Sequence, residues 1–451
     1  MANPVDISVL DAILKDYYIG PLQEQLNNEV MVLQMFEKAK ISWAGKQGVV
    51  PVHVDRNSGV GFRAEGADWS TGSGTLTAGS QETKRLTFTA AYLYGRFEVT
   101  GPAIAAAAKG GTASFIGALE LEMDKLKDDV RDQADRTAIS GGRVVGFLNQ
   151  HKSEAGAATW EFAGDFAKIA AAYNTKGSNI DVAVVDCTNN TLTGNAGEVC
   201  YEFITTSAAI DITHAGFNPT NGTIRLTNAL DTTGVANGFA CALVISDTTS
   251  GDLNAVLDNQ PTGIYGNLGY VELFGVDRGS VAAAAGDDAM ALQSVIVNMD
   301  ADNADDGDGL DLTLARMQEV IDGISITSGM DPDVIMMNPS DRAKYIALIG
   351  GNIFKPVEKA TAGDGGFLGL SYGGVPIKAA RHVDRGLMLF LNTKCWKLAV
   401  LEDGKFADLD GSVLARVSNR DNWEGFYKWY YNHYCYRPNA NGVLTGFPVR
   451  T

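Results

Sequence analysis

The chain has 451 residues, 45% hydrophobic and 20% charged, which suffices to bury cores in two or three domains and excludes wholesale disorder. Its formal charge of −18 argues against binding nucleic acid through the bulk surface, since phosphate binding draws on Lys and Arg, and against attraction to an anionic membrane. The acidic start, Met1–Tyr18, has no apolar signal segment, and no run of about 18 apolar residues occurs, so neither secretion nor a helical membrane span is expected.

Residues 5–40 read as two helical pieces broken at Gly20–Pro21. Val5, Leu10, Ile13 and Leu14 share one side of the first, and Leu26, Val30, Leu33 and Phe36 are in register on the second. They precede any domain core and read as an arm that packs elsewhere. From residue 44, Val50, Val52 and Val54 alternate with Pro51, His53 and Asp55, a strand whose Pro places it at an edge. A polar Gly- and Ser-rich tip, Arg56–Glu82, leads to a return strand over Thr83–Val99. Leu86, Phe88, Ala90, Tyr92 and Tyr94 are expected on one face of it. An isolated two-stranded ribbon is marginal in water, so its apolar face is expected on a neighbouring copy.

Thr112–Ser140 predicts one long helix. Phe115, Leu119, Met123, Leu126, Val130 and Ala134 form a single apolar stripe, Thr112 or Ser114 can cap the start, and Gly141–Gly142 stops it. At 1.5 Å per residue it reaches roughly 42 Å, the length of a scaffold rod. Residues 143–180 predict a polar segment with a short helix near Asp165–Tyr173, and residues 182–246 a small antiparallel β insertion of short strands between Asn, Gly and Thr clusters. Residues 251–285 read as a loop-rich return, and Asp300–Asp311 as an acidic loop. Neither register of that loop places calcium ligands at the required positions, so it reads as solvated.

A helix over Leu310–Gly323, a buried strand Val334–Met337 and a helix over Arg342–Ile349 with Pro339 in its first turn predict an α/β layer. Residues 350–374 are Gly-rich and read as a long loop. The C-terminal part predicts strands over VPIKAA, LMLFL, KCWKLAVL and KFADL, the last two joined by a tight hairpin at Glu402-Asp403-Gly404. Trp423–Tyr436 predicts a long aromatic strand buried on both sides.

No catalytic motif is present: there is no phosphate-binding GxxxxGK, no GxSxG and no HExxH. His53, His151, His214, His382 and His433 are scattered without metal spacing, and His433 reads as a packed core histidine. Cys187, Cys200, Cys241, Cys395 and Cys435 are odd in number, widely spaced and without C-x-x-C, and read as buried free thiols in a reducing compartment. No catalytic, cofactor-binding or metal site is expected, no cofactor, and no enzymatic activity.

The order of parts resembles the major capsid proteins of tailed bacteriophages, the Hong Kong ninety-seven-type fold: helical arm, extended loop, spine helix, β insertion, α/β layer with a Gly-rich loop, aromatic C-terminal sheet. The segments DPDVIMMNPSDRAKYIALIG, LSYGGVPIKAA and LMLFLNTKCWKLAVLEDGKFADLDGSVL carry the same texture. The resemblance implies an α+β fold with an N-terminal arm over 1–43, an extended β-hairpin loop over 44–100 and a peripheral domain over 101–180 around the spine helix 112–140. It further implies a β-rich insertion over 181–250, an axial domain over 251–380 with the loop 350–374, and C-terminal strands over 381–451 completing the sheet. It implies a structural protein made in the host bacterial cytoplasm and built into the virion capsid. Copies would assemble as pentamers and hexamers around double-stranded DNA, enclosed without specific binding and without a membrane. A separate scaffolding protein, a portal and a cement or decoration protein would be its partners, since no internal scaffolding segment precedes the arm. No Lys–Asn cross-link is expected. A nanocompartment shell protein, a β-rich tail or adhesin protein with 182–246 as its recognition module, and an undetected hydrolase are the competing readings.

Overall fold

The computed structural model describes residues 30–37, 40–57, 59–62, 65, 79–102, 112–141, 144–154, 157–164, 179–186, 202–211, 217–218, 223–226, 241–245, 261–269, 272–278, 290–299, 312–350, 370–408, 414–418 and 420–446. Side chains of 112–121, of the described residues within 144–245, and of 272, 277, 290, 298 and 350 are outside that description. The chain begins with α1 (Val32–Glu37), β1 (Lys40–Ser42), β2 (Gly48–Asp55), β3 (Glu82–Phe88), β4 (Ala91–Thr100) and α2 (Thr112–Ser140). Next come β5 (Val144–Glu154), β6 (Ala157–Gly164), β7 (Asn179–Asp186), β8 (Glu202–Asp211), β9 (Phe217–Asn218), β10 (Thr223–Leu226) and β11 (Cys241–Ile245). Then follow α3 (Ile264–Gly269), β12 (Glu272–Leu273), β13 (Val276–Asp277), β14 (Val295–Asn298), α4 (Leu314–Ser328), β15 (Val334–Met337) and α5 (Pro339–Gly350). The chain closes with β16 (Leu370–Tyr372), β17 (Val375–Ala379), β18 (Leu387–Leu391), β19 (Trp396–Phe406), β20 (Ala415–Arg416), β21 (Asn422–Cys435) and β22 (Gly442–Thr445).

The predicted spine helix is present with the expected bounds. Gly141 ends it in the left-handed conformation at φ 73°, its N–H bonded to the Thr137 carbonyl at 2.9 Å. Val130 and Ala134 of the stripe are buried, Leu126 partly so, and Ala138 and Ile139 extend it. Phe115 and Leu119 lie outside the described side chains. The stripe rests on a five-stranded sheet of order β1-β19-β21-β20, with β4 along the edge of β21 opposite β19. The close approach is made at Gly95, where an added Cβ would stand 2.8 Å from Val130 Cγ2 and 3.0 Å from Leu126 Cδ1.

Four expectations in this region need correction. The end of the arm does not pack elsewhere: Val32, Leu33 and Phe36 are fully buried in the chain's own core, and the Leu33 N–H donates to Asp135 Oδ1 of α2 at 2.7 Å. The return strand is two strands, because β3 pairs with β2 while β4 pairs with β21. Between them Asn432 Nδ2 donates to the Thr89 carbonyl at 2.8 Å, and the alternation slips by one residue. Ala91, Gly95 and Phe97 therefore face inward, while Tyr92 and Tyr94 face out and are exposed. The hairpin at Glu402–Gly404 is absent, since β19 runs through it and the extra residues are absorbed as irregularities opposite β21. Gly404 lets the Tyr427 ring lie against the backbone there. Finally, β21 is central as predicted, but it is buried on both faces only from Tyr431 to Cys435.

A six-stranded mixed sheet, β14-β22-β18-β15-β17-β16, forms the α/β layer. Val334, Met336, Leu387, Leu389, Leu391 and Val443 turn toward the core shared with α1, α2, α3 and β21. Ile335, Met337, Met388, Phe390 and Leu444 turn the other way, onto Met317, Val320 and Ile324 of α4 and Tyr345 of α5. This explains the unbroken apolar runs VIMM and LMLFL: both faces are covered. Helix α4 is capped by Thr313, whose Oγ1 accepts from the Arg316 N–H, and runs to Ser328, five residues past the predicted stop at Gly323. Residues 370–374, expected in the loop, form β16 and a turn in which Gly373 and Gly374 both have positive φ. The loop residues 351–369 and the acidic loop 300–311 lie outside the described residues.

The β insertion is a seven-stranded antiparallel sheet of order β8-β7-β11-β5-β6-β10-β9. It takes in β5 and β6, so it starts at Val144 behind the spine helix and not at residue 181. The helix predicted near Asp165–Tyr173 lies outside the described residues. In the expected loop 251–285, α3 is a buried helix, with Asn267 as its anchor. Asn267 Nδ2 donates to the Gly263 and His433 carbonyls, and its Oδ1 accepts the Cys435 N–H at 2.9 Å.

A second buried amide, Asn441, ties both sheets together. Its Oδ1 accepts from the Asn392 N–H and from Trp396 Nε1, each at 2.9 Å. Asn441→Leu will strand both buried donors at about 1–3 kcal/mol each. Asn441→Asp keeps the acceptor but sets a second oxygen against the Arg437 and Pro438 carbonyls that Nδ2 now serves, so it too will fall short of the wild type. Urea unfolding followed by tryptophan fluorescence measures the difference.

Candidate functional site

The even-numbered residues of β4 and β21 share the outer face of the aromatic sheet, since Tyr92 pairs with Tyr430, Tyr94 with Lys428, Arg96 with Phe426 and Glu98 with Glu424. Half of this face is covered by the root of the ribbon β2–β3. There Phe88 stacks on Tyr434 at 4.8 Å and packs at a tilt against Trp43 at 4.7 Å, and Phe274 meets the Phe88 ring edge-on at 5.6 Å. The β12–β13 turn holds Phe274 at φ 52°, a conformation that side-chain-bearing residues rarely adopt, and its carbonyl accepts the Thr87 N–H at 2.9 Å. Val52, Val54 and Leu86 of the ribbon close over Val276 and Leu292 of the same chain. The expectation that this apolar face needs a neighbour is thus corrected: Phe274, Val276, Ala291 and Leu292 cover it. Beyond the root, Val60 and Phe62 are fully exposed.

The other half of the outer face is open. Tyr92 is 51% and Tyr94 58% exposed. Tyr430 joins them, its hydroxyl 3.0 Å from that of Tyr94 and its ring 5.1 Å from Tyr92. The shared hydroxyl contact raises the Tyr94 pKa, with burial second, so the Tyr94 hydroxyl stays neutral and can donate and accept hydrogen bonds. Lys428 lies over the Tyr430 ring at 5.6 Å and bonds Glu402 at 3.0 Å, which also holds Lys405 at 2.8 Å. Arg96 bridges Glu424 at 2.8 Å and Glu98 at 3.3 Å. The result is a rigid, flat patch of amphipathic rings rimmed by paired charges. Tyr and Arg are the residue types concentrated at the centres of protein interfaces, and such a patch offers contact area at little cost in side-chain entropy.

No comparable cluster among the described residues forms a catalytic centre. Among the described residues no group of three His, Cys, Asp or Glu could hold a metal ion, and no helix is long and apolar enough to cross a membrane. His53 sits on the ribbon beside Gln81. His382 is buried 3.4 Å from Asp132 of α2, which Arg381 also grips. His433 lies in the core, as predicted. The side chain of His151 and all of His214 lie outside the described residues. Cys395 and Cys435 are buried and free, and burial pushes both thiols up. Cys187 and Cys200, with the side chain of Cys241, lie outside the described residues.

The tyrosine face escapes sequence reading because Tyr92 and Tyr94 continue the parity of Leu86, Phe88 and Ala90. The small residues Ala90 and Ala91, which follow Thr89, are the only signal that one strand ends there and another begins.

No family model matches the sequence, and no curated protein matches it. The fold is similar to a chain of the cyanophage A-1(L) capsid asymmetric unit, over 98% of this chain and 99% of that one, at a TM-score of 0.55 and 11% identity. A chain from Mycobacterium phage Bobi matches over 98% and 99% at a TM-score of 0.42 and 11% identity. A chain of the holo-SrpI encapsulin complex from Synechococcus elongatus matches over 100% and 98% at a TM-score of 0.43 and 7% identity. On the likeness to the cyanophage chain, this protein has the α+β capsid fold of the Hong Kong ninety-seven type.

Proposed function

We propose that this chain is a shell-forming capsid subunit of a tailed bacteriophage, closing through copies of itself into pentamers and hexamers around double-stranded DNA. The likeness to the cyanophage capsid chain over 98% of the length carries this reading. The exposed tyrosine face supports it, since it gives the folded subunit a surface of interface composition on which Tyr92 and Tyr94 are more than half exposed. The charge of −18 suits a wall that contains DNA without gripping it, because like charges keep the packed polymer mobile. Each contact between copies can be weak, because many act together. A scaffolding protein, a portal and a decoration protein belong to this reading as partners, with the virion as its location and no catalytic role for the subunit.

Expression of the full chain with its phage neighbours, followed by negative-stain microscopy and assay of nuclease-protected nucleic acid, tests the reading. Closed shells holding DNA are the expected result. Shells that hold protein cargo and no DNA would establish a nanocompartment in its place, and monomers or trimers under the same conditions would overturn a container altogether.

A further inference from the structure

His433 is the least reconciled group in the core. It is fully buried, and among the described residues neither Nδ1 nor Nε2 has a hydrogen-bond partner. A buried polar group left unpaired costs about 1–3 kcal/mol, so its survival calls for a reason. The ring is wedged between Tyr431, at 5.2 Å, and Phe36 of α1, at 4.8 Å. Phe36 also packs on Trp396 at 5.4 Å. Helix α1 is therefore the lid over this histidine, and a short one. It is only six residues long, held by Val32, Leu33 and Phe36 and by the bond from the Leu33 N–H to Asp135.

We infer that His433 and α1 form an acid-sensitive latch, in which α1 stays docked while the imidazole is neutral and comes away when the imidazole takes a proton. The inference does not depend on the shell reading. Burial alone holds the imidazole well below its ordinary value, at about 3, and no charged neighbour contributes. The groups that could compete are Asp135 on α2, Tyr431 and Cys435 on β21, Cys395 ahead of β19, Tyr265 on α3, and Arg278, which donates to the carbonyls of Asn267, Gly266 and Leu292. Burial raises Tyr431, Cys395 and Cys435, so all three stay neutral across the acid range. With α1 undocked, water reaches His433 and its affinity for a proton returns to the ordinary value near 6.5. The docked form is then favoured fully above about pH 6.5, and its advantage falls about tenfold for each pH unit below that.

Hydrogen exchange by mass spectrometry on the full chain, corrected for intrinsic rates, reads the opening of residues 31–37 between pH 7.5 and 5.0. The expected result is a rise in opening of about 30-fold between pH 7.5 and 5.0, most of it below pH 6.5, with the amides of β15 and β18 unchanged. His433→Phe, which cannot take a proton, will flatten the profile. A flat wild-type profile, or the same acid rise in His433→Phe, would overturn the latch. Should that variant fail to fold, exchange of the imidazole C2 proton in the wild type decides. His433 must titrate together with the loss of protection at 31–37, and titration near pH 6.5 with α1 still protected sinks the inference.

Discussion

Gly95→Leu will cost the subunit about 3 kcal/mol or more, a large share of the ~5–15 kcal/mol that holds a domain together. The residue lies on the inner face of β4, paired with Tyr427 of β21, close against Val130 and Leu126 of the spine helix. Even the first added carbon would stand 2.8 Å from Val130 Cγ2, and a Leu side chain would occupy the place of Leu126. A 29-residue helix cannot yield at one point without lifting the packed stripe on either side of it. Gly95→Ala is the graded test. Alone it will destabilise by about 1–2 kcal/mol through overpacking, and Val130→Ala alone by a similar amount through lost burial. Combined, the two should recover at least about 1 kcal/mol, because each relieves the other. Strict additivity in urea melts would show that the helix does not rest on Gly95.

The long elements were legible because their patterns are local and redundant. Six apolar residues in phase define α2, and VIMM and LMLFL announce strands covered on both faces. What failed were decisions made by pairing partners distant in sequence. Nothing between Thr83 and Val99 says that β3 belongs to β2 while β4 belongs to a strand more than 300 residues later, yet that choice decides which way Tyr92 and Tyr94 point. Glu402-Asp403-Gly404 carries the composition of a turn, but pairing of β19 with β21 on both sides of it outweighs that local preference. The arm and ribbon were misjudged for one reason: their covers, β12–β13 and the α2–β21 core, are built from residues that a linear reading leaves in loops or other domains.

That misjudgement changes what the case for assembly rests on. An apolar ribbon lacking any cover would have demanded a neighbour, but the root of the ribbon is covered within the chain by Val276, Leu292 and Phe274. The demand for a neighbour moves to the exposed tip at Val60 and Phe62 and to the open half of the sheet. On the proposed reading, a surface of this kind would let the subunit fold alone and meet copies of itself only when concentration favours it.

The double substitution Tyr92→Ser with Tyr94→Ser separates folding from assembly. Both side chains are more than half exposed, so the isolated subunit should melt within about 0.5 kcal/mol of the wild type for each change. The hydroxyl contact from Tyr94 to Tyr430 and the edge contact from Tyr92 to Tyr430 are lost together, which leaves the face without its ring cluster. Truncating a tyrosine at the centre of an interface costs about 2 kcal/mol or more, so the pair should raise the concentration at which shells appear on the order of a thousandfold. Light scattering across a dilution series of wild-type and variant subunits measures that threshold, and circular dichroism melts confirm that the variant is folded. Shells at the wild-type threshold from a folded variant would remove this face from the contacts between copies, while a variant that melts early would mean that the tyrosines serve the sheet itself.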